Sequence, residues 1–124
     1  VIELDHLVLT VGNIQQTVRF YETTLGMESI MYEDGRIALV FGNKKINLHQ
    51  AGKEIEPKAG YPSPGSADLC FIVDTPVDST IRFLEKMRIP IIQGPVSRRG
   101  AAGPIQSIYI RDPDLNLIEL SSPA

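Results

Sequence analysis

Polar and apolar positions alternate at the start of the chain and then change to a helical period. The alternation predicts a strand over residues 3–11, with Leu7 and Leu9 on one face. Apolar residues next recur at three- and four-residue spacing between Asn13, a favoured N-cap, and Gly26, a favoured helix terminator. Three short strands are then predicted near residues 27–33, 36–42 and 45–50. The first part of the chain is therefore predicted to be a β-α-β-β-β unit.

The second half of the chain repeats this order of elements. A strand is predicted over residues 68–74, followed by a helix with Thr75 as N-cap and Pro76 as first helical residue. We expect the helix to run to about Arg88, because Pro90 cannot continue it. The remaining strands are predicted near residues 91–93, 105–111 and 116–122, which completes a second unit of the same kind.

Two segments rich in Gly and Pro interrupt this pattern. Residues 52–66 have the composition of a linker, and residues 94–104 have that of a flexible loop. We therefore predict a single domain that contains two modules, one at about 1–51 and the other at about 67–124. A chain of 124 residues is long enough to build one compact core from both.

An overlay of the two halves pairs residues that can bind metal. His6 pairs with Asp68, and His49 pairs with Glu119. In each strand the apolar residues take the opposite face, so all four side chains are expected to face away from the helices. A mixed sheet with helices only on its outer face could curl into a cup around them. The predicted fold class is α+β, with two β-α-β-β-β modules forming a cup-shaped mixed sheet.

The paired residues have the chemistry of a metal site. Imidazole nitrogen and carboxylate oxygen are ligands that divalent transition metals prefer. His6 and His49 are the two histidines of the chain, and both fall on duplicated positions. Each one singly could instead be a surface or hydrogen-bonded structural histidine, and Asp68 could instead cap the turn before its strand. We expect a divalent metal bound by His6, His49 and Glu119, with Asp68 as a candidate fourth ligand.

Composition limits the partners that fit this chain. A formal net charge of −3 argues against nucleic acid as the main partner. No apolar run approaches the roughly 18–20 residues of a membrane span, and no signal-peptide pattern is visible. The one cysteine, Cys70, fits a reducing cytoplasm and is expected to be a small buried apolar residue rather than a nucleophile.

Three segments give the chain a familiar appearance: residues 5–11 (DHLVLTV), 20–27 (FYETTLGM) and 110–120 (IRDPDLNLIEL). Together they resemble the vicinal oxygen chelate superfamily, which includes glyoxalase, bleomycin-resistance proteins and extradiol dioxygenases. Within it, the likeness is greatest to short glyoxalase-domain proteins of the lactoylglutathione lyase-like type, which share residues 46–49 and 94–96. The resemblance implies paired modules, a divalent metal (Ni, Zn, Mn or Fe) and commonly a homodimer.

The resemblance also implies roles for the paired residues. His6 falls on the family's ligand in the first strand, and Glu119 falls on its ligand in the last strand. His49 falls where glyoxalase I has a glutamate, and Asp68 falls where that enzyme has a histidine. Glu119 is then the only family-matched glutamate that could act as the catalytic base beside the metal.

Further polar residues could bind the substrate. Arg98 and Arg99 could clamp a carboxylate or phosphate, such as a glutathione carboxylate, although a solvated loop with two charges explains them equally well. Tyr109 shares a predicted strand face with Ser107 and Arg111, and all three could line the cup. Arg111 could instead pair with a neighbouring aspartate, at position 112 or 114.

These observations favour a glyoxalase-like lyase or isomerase that acts on a small compound with vicinal oxygens. A glutathione adduct of a 2-oxoaldehyde is the expected substrate type. One alternative is another metalloenzyme of the superfamily, either a thiol transferase or an Fe(II) dioxygenase. The other alternative is a metal-free resistance protein that sequesters a ligand.

Overall fold

A computed structural model describes all residues, 1–124, and the chain divides into two compact units. The first unit comprises Val1–Ser66, and the second comprises Ala67–Ala124. The segment predicted as a linker, residues 52–66, belongs to the first unit. No helix in the structure is long and apolar enough to cross a membrane.

The first unit is a four-stranded sheet with one helix. Its elements are β1 (His6–Val11), α1 (Ile14–Leu25), β2 (Glu28–Met31), β3 (Ile37–Phe41) and β4 (Lys44–Gln50). The strands lie in the order β1-β4-β3-β2, in which β1 runs parallel to β4 and the other pairs are antiparallel. This is the predicted β-α-β-β-β order, within one or two residues at most boundaries.

The two ends of α1 are capped as the sequence predicts. Asn13 Oδ1 accepts a hydrogen bond of 2.9 Å from the backbone N–H of Gln16. Gly26 ends the helix with φ +69° and donates its N–H to the carbonyl of Glu22. Local sequence alone therefore determines where this helix begins and ends.

Strand polarity in the first unit is also confirmed. The side chains that alternate into the core are almost fully buried: Leu9, Val11, Ile46 and Leu48. The opposite face includes exposed His6 and half-buried His49. Helix α1 contacts β2 and β4, so it packs on the face of the sheet that carries the apolar residues.

The second unit repeats the arrangement. Its elements are β5 (Asp68–Ile72), α2 (Val77–Lys86), β6 (Gln93–Gly100), β7 (Gly103–Arg111) and β8 (Leu117–Pro123). The strands lie in the order β5-β8-β7-β6, in which β5 runs parallel to β8 and the other pairs are antiparallel. The α+β class and the duplicated β-α-β-β-β unit are thereby confirmed.

The prediction of a flexible loop over residues 94–104 is wrong. Most of that segment forms β6 and the start of β7, which pair as an antiparallel hairpin through Gly100 and Gly103. A Cβ on Gly100 would lie 2.9 Å from the carbonyl oxygen of Gly103, and a Cβ on Gly94 would lie 2.5 Å from that of Ser107. The glycines thus allow close approach of paired strands, a use that composition does not distinguish from a loop.

The start of α2 differs from its prediction by one residue. Pro76 is the N-cap and Val77 the first helical residue, and no side chain caps the helix. The Thr75 hydroxyl instead pairs with that of Thr80, at 2.9 Å. The helix ends at Lys86, before Arg88, which takes a left-handed φ of +59°.

A buried turn between β7 and β8 sets the position of β5. Asp112 Oδ1 accepts the backbone N–H groups of Asp114 and Asn116, and Asn116 Nδ2 donates to Asp112 Oδ2. Asn116 Oδ1 then accepts the N–H of Ala67 at 2.8 Å, one residue before β5 begins. This bond helps to hold β5 in register with β8, where Cys70 lies beside Glu119.

Candidate functional site

Glu119 occupies the centre of the second unit's sheet. It lies on β8, half-buried, on the face opposite the buried neighbours Ile118 and Leu120. Its register partners are Cys70 on β5 and Tyr109 on β7. Residues on three adjacent strands therefore surround the carboxylate on one face of the sheet.

Two buried serines hold one oxygen of Glu119. Ser107 Oγ donates to Glu119 Oε2 at 2.6 Å, a length typical of a hydrogen bond to a charged carboxylate. Ser121 Oγ lies 2.7 Å from Ser107 Oγ and 3.5 Å from the same carboxylate oxygen. Both serines are fully buried. Both serines contact Oε2, and neither contacts Oε1.

Cys70 contacts Ser121, the serine that lies further from Glu119 Oε2. Its Sγ is 3.3 Å from Ser121 Oγ, and the residue is exposed, so the expectation that it is a buried apolar residue is wrong. Partial burial of the sulfur is the largest cause that raises the pKa of the Cys70 thiol. The negative charge of Glu119 raises this pKa further, whereas the bond to Ser121 acts in the opposite direction. Cys70 is therefore a thiol that resists ionisation.

Tyr109 and Arg98 form a pair on the same side of the sheet as Glu119. Arg98 Nε donates to Tyr109 Oη at 2.9 Å, and the guanidinium carbon lies 5.6 Å from the ring centroid. Arg99 is the next residue on β6 and consequently points to the opposite face. The two arginines therefore cannot clamp one anion from the same face of the strand.

Arg111 lies two residues beyond Tyr109 on β7, with Leu117 as its register partner. Its side chain is on the same face as those of Tyr109 and Ser107, as the alternation predicts. Its Nη1 donates to the carbonyl oxygen of Leu115 at 3.3 Å, so the following turn holds the guanidinium.

In the first unit, His6 has a partner that the sequence reasoning did not identify. Asp5 Oδ1 lies 2.8 Å from His6 Nδ1 on the exposed edge of the sheet. This hydrogen bond is the largest cause that holds the pKa of Asp5 below its usual value, with additional charge effects from Lys45 and Lys44. When the proton is on Nδ1, the Nε2 atom has a free lone pair that can bind a metal.

The register does not bring His49 and His6 together. His6 pairs with Lys45, whereas His49 pairs with Thr10, four residues further along the parallel strands. Four residues span roughly 13 Å along a strand. An ion that bonds an imidazole at about 2.0–2.1 Å would have to bridge that separation to bind both rings. One ion could bind both rings only if the two side chains lean towards each other along the strands, so the register gives this pair no direct support.

Asp68 is the exposed first residue of β5, with Leu117 as its register partner. Two hydrogen bonds made by other side chains stabilise the turn that precedes it. Asn116 Oδ1 accepts the N–H of Ala67, and Ser66 Oγ donates to the carbonyl of Ser63. Neither bond involves the Asp68 side chain. No group of three or more His, Cys, Asp or Glu side chains in the structure is arranged to hold a metal ion.

Comparison with known families resolves the class of protein. Residues 3–120 match the family model described as the Glyoxalase/Bleomycin resistance protein/Dioxygenase superfamily. The chain belongs to this superfamily. The resemblance carried by the three sequence segments is thereby confirmed.

Curated members of the superfamily are similar over most of this chain. It is 56% identical to virulence protein STM3117 of Salmonella typhimurium, over 95% of this chain and 82% of that protein. It is 55% identical to the glyoxalase domain-containing protein RDO1 of Mycosarcoma maydis, over 96% of this chain and 67% of that protein.

Solved structures of superfamily members agree with the fold. The crystal structure of the Salmonella virulence protein has a TM-score of 0.98 and 53% identity, and the match covers 100% of this chain and 98% of that one. The lactoylglutathione lyase of Agrobacterium tumefaciens has a TM-score of 0.76 at 21% identity, over 98% of this chain and 94% of that chain. The second similarity shows a shared fold alone.

Within this superfamily domain, several contacts were not visible to the sequence reasoning. Alternation places Ser107 on the same face as Tyr109, but its bond to Glu119 depends on the register of β7 with β8. Ser121 is two residues from Glu119 on β8 and could have been assigned to the same face. Asp5 lies directly before His6, and that adjacency was the available signal.

Proposed function

We propose that this chain is a metal-dependent lyase or isomerase of the glyoxalase type that acts on a small compound with vicinal oxygens. The observation that carries the proposal is the environment of Glu119. Its Oε2 accepts a hydrogen bond from buried Ser107, while neither Ser107 nor Ser121 contacts Oε1. A carboxylate with one anchored and one available oxygen suits both metal ligation and proton transfer.

We propose His6 and Glu119 as ligands of a divalent metal: Ni, Zn, Mn or Fe. Each offers a free donor atom of the right kind, Nε2 of His6 and Oε1 of Glu119. His6 belongs to the first unit and Glu119 to the second, so their joint assignment is supported by superfamily membership and by donor chemistry. When bound, such a metal polarises substrate oxygens and stabilises negative charge on them.

His49 and Asp68 are proposed only as additional ligands. The register separates His49 from His6, and Asp68 lies exposed at the start of β5. We therefore expect substitution of either residue to weaken metal binding less than substitution of His6 or Glu119.

Glu119 is also proposed as the group that moves the proton. In an isomerisation between adjacent carbons, a carboxylate takes a proton from one carbon and returns it to the next. Oε1 would accept that proton, since Oε2 is engaged by Ser107.

Residues beside Glu119 favour a substrate with an anionic group. Tyr109 lies next to Glu119 in register and holds the guanidinium of Arg98 through Nε. Nη1 of that guanidinium donates to the carbonyl oxygen of Ser97, and Nη2 remains able to bind a carboxylate or phosphate. Arg111 adds a second cation on the same face, whereas Arg99 points away. A thiol adduct carrying a carboxylate, as in a glutathione hemithioacetal, fits this chemistry.

Assembly and location are proposed from the same evidence. A homodimer is proposed because dimers are common in the superfamily, and light scattering on the purified chain tests it. A cytoplasmic location is proposed from the single thiol, which fits a reducing compartment.

The test of the proposed function is an activity assay with methylglyoxal and glutathione after loading with each of the four metals. We expect Glu119→Gln to lower kcat by about 10²-fold or more, as removal of a general base does. Glu85→Gln is the matched control, because Glu85 is an exposed glutamate on α2. Activity in wild type that is unchanged in Glu119→Gln contradicts the proposal, and so does a chain that binds none of the four metals.

A further inference from the structure

We propose that Ser107 is a positioning residue for Glu119 and that Ser107, Ser121 and Cys70 form a hydrogen-bond chain with one direction. The chain ends on Oε2 of Glu119 and leaves Oε1 as the single oxygen that contacts a metal or a substrate proton. The inference rests on the proposed role of Glu119 and adds the residues that orient it.

The distances determine the direction of the chain. A serine hydroxyl has one proton to donate. Ser107 lies 2.6 Å from Glu119 Oε2, whereas Ser121 lies 3.5 Å from it, so Ser107 is the donor to the carboxylate. Ser121 then donates to Ser107 over 2.7 Å, and the Cys70 thiol donates to Ser121 over 3.3 Å. The negative charge at one end orders the three protons.

Burial explains why this arrangement fixes the carboxylate. Ser107 and Ser121 are fully buried on neighbouring strands, where they are register partners. Water cannot replace either hydroxyl there without disturbing the sheet. The anchored oxygen is therefore held by the strand pair itself rather than by a flexible surface group.

One anchored oxygen restricts how Glu119 binds a cation. With Oε2 engaged in a short hydrogen bond, coordination through Oε1 alone retains that bond. Coordination through both oxygens would compete with it. We therefore infer that Glu119 binds a metal through one oxygen and that Ser107 selects which one.

The first arm of the test observes the Ser107 hydroxyl proton directly by NMR. A buried hydroxyl in a short bond to a carboxylate exchanges slowly and resonates downfield. We expect this signal in wild type, a marked upfield shift or loss in Glu119→Gln, and no signal in Ser107→Ala. Ser122→Ala is the matched control, since Ser122 lies on β8 but faces the other way, with Gln106 as its register partner.

Assignment of the downfield signal in wild type tests the direction of the hydrogen-bond chain. If Ser107 donates to Glu119, the signal belongs to the Ser107 hydroxyl and persists in Ser121→Ala. If the chain instead runs from Ser107 through Ser121 to Glu119, the signal in wild type belongs to the Ser121 hydroxyl, which overturns the proposed direction.

The second arm measures binding of Ni²⁺ and Zn²⁺ by isothermal titration. Loss of a residue that orients a metal ligand typically weakens affinity about 10–100-fold. We expect a weakening in that range for Ser107→Ala and a change below about twofold for Ser122→Ala.

The two arms separate failure of this inference from failure of the proposed function. If Glu119→Gln abolishes metal binding while Ser107→Ala binds as wild type does, the positioning role is wrong and the proposed function stands. If wild type binds no metal, the proposed function is wrong, and the NMR signals alone then test whether the hydrogen-bond chain of Ser107, Ser121 and Cys70 exists. Persistence of the Ser107 signal in Glu119→Gln at its wild-type position contradicts the chain itself.

Discussion

The hydroxyl of Ser107 donates a 2.6 Å hydrogen bond to Oε2 of Glu119, and both residues lie on central strands of the second unit. Ser107 is fully buried, so its hydroxyl forms hydrogen bonds with other groups of the protein rather than with solvent. The bond therefore contributes to stability as well as to the orientation of a candidate catalytic group.

The first prediction concerns stability. Ser107→Ala removes a hydrogen bond to a charged acceptor and leaves Ser121 without the acceptor at 2.7 Å. We expect the free energy of unfolding to fall by about 1–3 kcal/mol. Urea denaturation measures this, with Ser122→Ala expected to change stability by less than about 0.5 kcal/mol. Equal stability of the two variants would show that the buried bond contributes nothing.

The second prediction concerns Cys70, the one thiol of the chain. The charge of Glu119 raises the pKa of the Cys70 thiol, so Glu119→Gln should lower that pKa. At a fixed pH near 8 the thiolate fraction then rises, and alkylation by iodoacetamide becomes faster. Ser121→Ala should have the opposite effect: when Cys70 ionises, the Ser121 hydroxyl turns to donate to the thiolate, which lowers the pKa of the thiol, and alanine removes that donor.

Rates of alkylation across a pH series supply the measurement. The Glu85→Gln variant is again the control, because its carboxylate lies on α2 and is absent from the causes that shift the thiol. Identical pH profiles for wild type and Glu119→Gln would rule out the electrostatic coupling.

The third prediction concerns the turn that holds β5. Asn116→Ala deprives the partly buried N–H of Ala67 of its acceptor and removes the donor to Asp112 Oδ2, which is fully buried. We expect a loss of about 2–4 kcal/mol in the free energy of unfolding. Asn43→Ala, at an exposed asparagine, should cost less than about 0.5 kcal/mol. Chemical denaturation of both variants decides the matter, and similar midpoints would contradict the assigned role.

The fourth prediction concerns the tautomer of His6. Asp5 lies 2.8 Å from Nδ1 and favours the tautomer with its proton there. Nitrogen-15 NMR of the imidazole should show this tautomer dominant in wild type and reduced in Asp5→Ala. His49 offers an internal reference, whose ring signals should be the same in both proteins. A His6 tautomer ratio unaffected by Asp5→Ala would remove Asp5 from the account.

Much of the fold could be predicted from local sequence. Alternation assigned the buried faces of β1 and β4, and the caps Asn13 and Gly26 fixed both ends of α1. These signals succeed because each depends on neighbours in sequence or on strand period. The family could also be named from three short segments, and the match over residues 3–120 confirmed it.

The errors have a common physical origin. The hairpin at Gly100 resembles a loop in composition, because small residues serve both turns and close strand approach. Exposure of Cys70 depends on which elements cover its face, and the polar contacts of Glu119 depend on strand register. None of these can be obtained from a run of residues in isolation.

The candidate site divides in the same way. Residue type and duplication selected His6 and Glu119, and their ligand roles stay predictions. The register then separates His49 from His6 and turns Arg99 away from Arg98. The structure thus changes how strongly each candidate site residue is supported, rather than which residues are candidates.

The most direct test of the account is the stoichiometry of divalent metal bound by wild type and by Glu119→Gln. Each protein would be stripped with a chelator, titrated with Ni²⁺, Zn²⁺, Mn²⁺ or Fe²⁺, and analysed for bound metal after desalting. The account predicts about one ion per chain in wild type for at least one metal, and at least a tenfold weaker affinity in Glu119→Gln. Equal binding by the two proteins, or none by wild type, would contradict it.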